Sequence, residues 1–109
     1  MSNAKIAAKI AKAAAKKKSE PITKLLSKCD AEDLILALNG LGSIGDENSS
    51  NYMVHFLDHE DKNVRLTACK ACLNVNTEYM KTRVRHQLAM EKDPETKALI
   101  QQAFNAVNL

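Results

Sequence analysis

Cys69-Lys70-Ala71-Cys72 is the pattern in this chain closest to a reactive site. A C-x-x-C pair does redox chemistry when it opens a helix after a strand, where the helix end lowers the thiol pKa. Here it falls in the middle of a helical apolar pattern. Cys72 takes a core position, and Cys69 is expected at the margin of the packed face. A four-cysteine zinc site needs a second pair, and the only other cysteine is Cys29. His55 and His59, at i and i+4, could face one metal with Asp58 or Glu60. The H-E-x-x-H pattern is absent, and polar histidines near a helix C-terminus complement the dipole without any ligand. Ser49 and Ser50 lie in a polar run with none of the strained turn that exposes a nucleophilic serine. No phosphate loop or carboxylate pair stands at catalytic spacing. The expectation is a non-enzymatic protein with no catalytic residue, no metal ligand and no cofactor.

Charge carries more information. The net charge is +3, yet residues 1–18 hold six lysines and no acid, which leaves −3 for the rest. Lys5, Lys9, Lys12 and Lys16 follow at spacings of 4, 3 and 4 and line one face of a helix. Ile6, Ile10, Ala13 and Ala14 line a neighbouring face. A second basic group, Lys81, Arg83 and Arg85 around His86, could contact phosphate, although such clusters are commonly solvated faces. These seven cationic residues are the candidate binding residues.

These residues need elements to hold them. With 109 residues the chain has room for one domain. Gly 3, Pro 2, Trp 0 and 4% aromatic residues disfavour sandwiches and barrels, and the wealth of Ala, Leu, Lys and Glu favours helices. No apolar run reaches the ~18 residues of a membrane span. The N-terminus lacks the ~7–15-residue apolar core of a signal peptide. With an odd cysteine count, a reducing cytoplasm is expected.

Apolar spacing and cap residues predict a basic helix within residues 1–18, then a helix over about 20–28 with Ser19 as its cap. Asp30 opens a helix ended by Gly42 and Gly45. A polar loop is expected at Asp46–Ser50, followed by a helix carrying Tyr52, Met53, Phe56 and Leu57. Asp61 caps the next helix, Thr77 its successor, and Asp93 with Pro94 the last.

The caps recur. Asp30, Asp61 and Asp93 stand 31 and 32 residues apart. Ten positions past each come Gly40, Ala71 and Ala103, all small; eleven past come Leu41, Cys72 and Phe104, all apolar. Leu25, Phe56 and Leu88 repeat at the same period upstream. A helix pair repeating in this way is the signature of an α-solenoid, and the small residues mark where neighbouring helices cross closely. Asp61-Lys62-Asn63-Val64-Arg65, followed by Ala68, Ala71, Cys72 and Leu73, resembles the second helix of a HEAT repeat, of the short bacterial, phycobilisome-lyase-like type. The resemblance covers residues 20–108. It departs from the pattern at Asp33-Leu34 and Thr96-Lys97, where the family prefers Val-Arg. It implies that Asp30, Asp61 and Asp93 cap second helices and that Arg65 braces adjacent repeats.

The expected fold is therefore an all-α superhelix of three HEAT-like pairs, with units near 19–45, 46–76 and 77–109, led by the basic helix of residues 1–18. The expected function is macromolecular binding, with another protein as the partner. Nucleic-acid binding through the basic helix and the Arg83/Arg85 patch is the alternative.

Overall fold

The computed structural model describes residues 3–107, and among these there are seven α-helices and no strand. Helix α1 (Ala4–Ala15) is capped by Asn3, whose Oδ1 accepts the N–H groups of Lys5 and Ile6. It closes in a Schellman turn: the Lys17 N–H donates to Ala14 O and the Lys18 N–H to Ala13 O, both at 3.0 Å. The turn holds Lys17 at φ 56°, a left-handed conformation that glycine usually takes.

The helix expected over residues 20–28 is instead two short pieces, α2 (Glu20–Thr23) and a 3-10 turn at Leu26–Lys28. The Leu25 and Lys28 N–H groups reach back three residues rather than four. This tightens the chain before Cys29 extends towards the next helix. Ser19 does not cap. Its backbone is already helical, and its hydroxyl donates to Asp46 Oδ2 at 2.7 Å.

Helix α3 (Ala31–Ile44) starts where Asp30 Oδ1 accepts the Asp33 N–H at 2.9 Å, and ends at Gly45 with φ 66°. Helix α4 (Glu47–Met53) begins inside the run expected to be a loop. Asp46 accepts the Ser49 N–H at 2.8 Å, and this cap converts the polar run into a first turn. A 3-10 turn at Val54–Phe56 follows. Helix α5 (Lys62–Val75) is capped by Asp61, α6 (Glu78–Met90) by Thr77, and α7 (Pro94–Val107) follows Asp93, which accepts the N–H and hydroxyl of Thr96.

Helices α1, α3, α5 and α7 pack side by side in that order, and α2, α4 and α6 each bridge two of them. The result is a two-layer slab of 35 × 27 × 18 Å, its thin dimension about two helix diameters. Ile22, Met53 and Met80 from the bridging layer meet Leu38, Leu41, Val64 and Ile100, all essentially inaccessible to water. Each such side chain contributes roughly 1.5–3 kcal/mol by leaving water. This arrangement is the α-α solenoid expected from the 31–32-residue period.

Two glycines of α3 set the helix spacing. A Cβ on Gly42 would stand 2.9 Å from Ala71 Cβ and 3.0 Å from Ala71 Cα in α5. Gly40 faces the other way, towards Ile22 of α2 and Ala14 of α1. Asn74 further ties α5 to α3 by donating to Gly42 O at 3.0 Å.

Candidate interaction surface

On α1, every third or fourth residue enters the core. Ile10 and Ala13 are buried against α2 and α3, while Lys5, Lys9, Lys12 and Lys16 are exposed. Among the described residues none of these four lysines makes an ion pair. The Schellman turn then carries Lys17 and Lys18, also exposed, into α2, where Lys24 forms a solvent-exposed pair with Glu20 at 3.1 Å. The basic segment is thus a continuous cationic end of the slab, wrapped from α1 onto α2.

The second basic group does not join it. Lys81, Arg83 and Arg85 lie on α6, with α3 and α5 between them and α1. They also have local partners. The Lys81 side chain is 18% exposed and approaches Glu78 at 3.7 Å. The Arg83 guanidinium sits 5.9 Å from the Tyr79 ring centre, and that of Arg85 lies 5.3 Å from Phe104 on α7. Arg83 and His86 border a groove of about 620 Å³ between α6 and the turn after α4, with His55 and Asp58 on its other side.

Arg65 makes the molecule's most developed polar contact. Its Nε and one terminal nitrogen donate to the two carboxylate oxygens of Glu91, each at 2.9 Å. Its other terminal nitrogen donates to the carbonyls of His59 and Glu60. One guanidinium thereby joins the turn before α5 to the turn before α7. Arg65, first among several groups, holds the Glu91 carboxyl below the ordinary carboxylate range, and Glu91 raises Arg65 in return. Glu91 did not stand out in the sequence. At the 32-residue register that relates Asp61 to Asp93, Glu91 stands where the preceding unit has His59, so the repeat carried no signal for it.

The thiols are placed for packing. Cys69 and Cys72 are both fully buried, so Cys69 lies in the core rather than at its margin. Burial pushes both thiols up to about 12, the reverse of a reactive pair. Cys29 is partly buried and donates its S–H to Leu25 O. His59 Nδ1 accepts the Asp61 N–H at 3.0 Å, which occupies it at the start of α5, while His55 is exposed. Among the described residues no group of three His, Cys, Asp or Glu side chains is arranged to hold a metal ion, and no helix is long and apolar enough to cross a membrane.

No curated protein and no solved structure matches the chain significantly. A family model of HEAT repeats matches residues 19–105, nearly the whole of the helix-pair array described above. With its caps in register, its small residues at the helix crossings and its alternating layers, the chain belongs to the HEAT-repeat family.

Proposed function

We propose that this protein is a non-enzymatic binding module whose partner is another protein, engaged through the cationic end formed by α1 and α2. HEAT repeats generally serve as protein-interaction scaffolds, which supports the coarse reading. The observation that carries the finer one is the division of labour within α1. Ile10 and Ala13 are buried against the slab, while Lys5, Lys9, Lys12 and Lys16 are exposed and make no ion pair among the described residues. Charge left in water, unpaired and on one face, is suited to steering an oppositely charged partner.

Nucleic acid is the competing reading. It is weakened by the separation of the two basic groups and by the stacking of Arg83 and Arg85 on rings of their own chain. The α1 segment also offers no aromatic side chain on which a base could stack.

The test replaces Lys5, Lys9, Lys12 and Lys16 together by Gln. The thermal midpoint should stay within experimental scatter, because exposed charges contribute little to stability. Affinity capture from the native cell, with nuclease treatment, should retain protein partners with the parent chain and lose them with the variant. Capture that disappears on nuclease treatment assigns the surface to nucleic acid instead. Early unfolding of the variant would make the lysines structural and end the proposal.

A further inference from the structure

The geometry points to a specific docking cleft between α1 and α2 that takes an acidic segment carrying one apolar anchor residue. This rests on the protein-binding reading and deepens it. The cleft is an open groove of about 460 Å³. Its apolar floor is formed by the buried Ala13 and the partly buried Leu25, with the exposed Pro21 beside them. Its rim includes Lys9, Lys12, Lys16, Lys18 and Lys24. Only Lys24 of these makes an ion pair among the described residues, and its partner Glu20 is exposed.

An apolar floor and a cationic rim ask for different things of a ligand. The floor gains from an aliphatic or aromatic side chain that leaves water. The rim gains from carboxylates placed on either side of that residue. A phosphodiester backbone satisfies the rim and leaves the floor empty. Bases have no ring to stack on here. An acidic peptide with one embedded Leu, Ile or Phe satisfies both.

The cleft is also built at a cost. Its two walls are joined by Lys17 in the left-handed region, where glycine is the ordinary choice. That turn carries the chain from Lys16 on the α1 side to Lys18 and Lys24 on the α2 side of the rim.

The experiment uses the full chain at low salt and three fluorescent probes. These are a Glu/Asp peptide with a single central Leu, the same peptide with Ser in its place, and a single-stranded oligodeoxynucleotide of equal charge. The Leu peptide should bind best. The Ser peptide should bind about 10- to 100-fold more weakly, the usual worth of one buried Leu side chain. The variant Lys9→Gln/Lys12→Gln/Lys16→Gln/Lys18→Gln should lose about tenfold or more for the Leu peptide. A charge-matched variant, Lys28→Gln/Lys70→Gln/Lys92→Gln/Lys97→Gln, should keep most of that affinity. Equal binding of the Leu and Ser peptides, tighter binding of the oligonucleotide, equal loss in the two variants, or no binding at all would overturn the cleft. Nuclease-resistant capture of native protein partners that survives the cleft substitutions would remove this site and leave the protein-binding reading standing. Capture that is wholly nuclease-sensitive would remove both.

Discussion

Helix α3 is packed on both flanks, and the two flanks are built differently. Towards α5 the contact is backbone on backbone: Gly42 lies against the Cα and Cβ of Ala71, and Asn74 donates to the Gly42 carbonyl. One junction further on, Arg65 and Glu91 tie successive turns together with a two-point ion pair. On the other flank a Cβ on Gly40 would stand 3.3 Å from Ile22 Cδ1 of α2, the far end of a side chain, and 3.4 Å from Ala14 Cβ of α1. Towards α1 the described contacts include the Asn3 N–H donating to the buried Asp33 at 3.0 Å and the burial of Ile10 and Ala13. The α5 flank has little room to adjust, because helix axes must move together. On the Gly40 flank the tightest neighbour, Ile22 of α2, can adjust by rotamer. A flank that adjusts at one side chain without moving the array suits the docking surface proposed above.

The largest effect expected is from the rigid side. Glu91→Ala leaves the Arg65 guanidinium without its carboxylate in a site where Arg65 is 17% and Glu91 1% exposed. The loss should be about 2–3 kcal/mol, towards the lower end for buried pairs because Arg65 still has two carbonyl acceptors. Chemical denaturation measures it. The pH dependence gives a second readout. The folded-state carboxyl is held below its ordinary value, so its contribution is complete above the ordinary carboxylate range. It is lost as pH falls through the depressed folded value. The advantage of the parent over Glu91→Gln should therefore shrink on acidification. A gap that stays constant would show that the ion pair does not couple to folding.

Gly42→Ala should come next, with a loss of about 1–2 kcal/mol. Alanine gains about 1 kcal/mol of helix propensity over glycine, but overpacking against a backbone costs about 1–3 kcal/mol. Here the obstructing atoms include Ala71 Cα, which cannot rotate away. An unchanged denaturation midpoint would mean that α3 and α5 slide apart freely, and the contrast between the flanks would vanish.

The parts legible in the sequence are those fixed by repetition. The 31–32-residue spacing of Asp30, Asp61 and Asp93 indicated the array, and Gly40 and Ala71 indicated where helices cross. The illegible parts are local competitions decided by tertiary packing. Ser19 has the chemistry of a cap, but Asp46, 27 residues further along the chain, takes its hydroxyl. The Asp46–Ser50 run has loop composition, yet a carboxylate at its head and the burial of Ser49 make it helical. Cys69 sits one residue after Ala68, and periodicity alone does not say how wide the buried stripe becomes when α5 is covered by five neighbouring elements. Of the candidate site, the α1 lysine face was readable, because charge spacing is a property of one helix. The cleft was not, because its other wall depends on the turn at Lys17.

Lys17→Gly probes that turn from the adjustable side. Relieving a left-handed lysine should stabilise the protein by about 0.5–1 kcal/mol, reduced by the extra freedom glycine gives the unfolded chain. A loss of stability would mean that the Lys17 side chain itself holds α1 to α2.

The smallest effect expected is Gly40→Ala, and its sign is the sharpest comparison of the two flanks. The added methyl would meet Ile22 Cδ1 at 3.3 Å, the far end of a flexible side chain, and Ala14 Cβ at 3.4 Å, an ordinary contact. A rotation of the Ile22 side chain by a few tenths of an ångström opens the space, whereas at Gly42 a whole helix has to move. Gly40 has no positive φ, so alanine takes its backbone conformation without strain. The helix-propensity gain of about 1 kcal/mol is therefore set against a small repacking cost. The net change should be within about 0.5 kcal/mol of zero and on the stabilising side. Urea denaturation checks it, provided the slope is unchanged, so that the midpoint alone reports stability. A loss comparable to that of Gly42→Ala would show that Ile22 is as immobile as the α5 backbone. The α1 flank would then be as rigid as the other, and a partner docking there would meet a preformed surface.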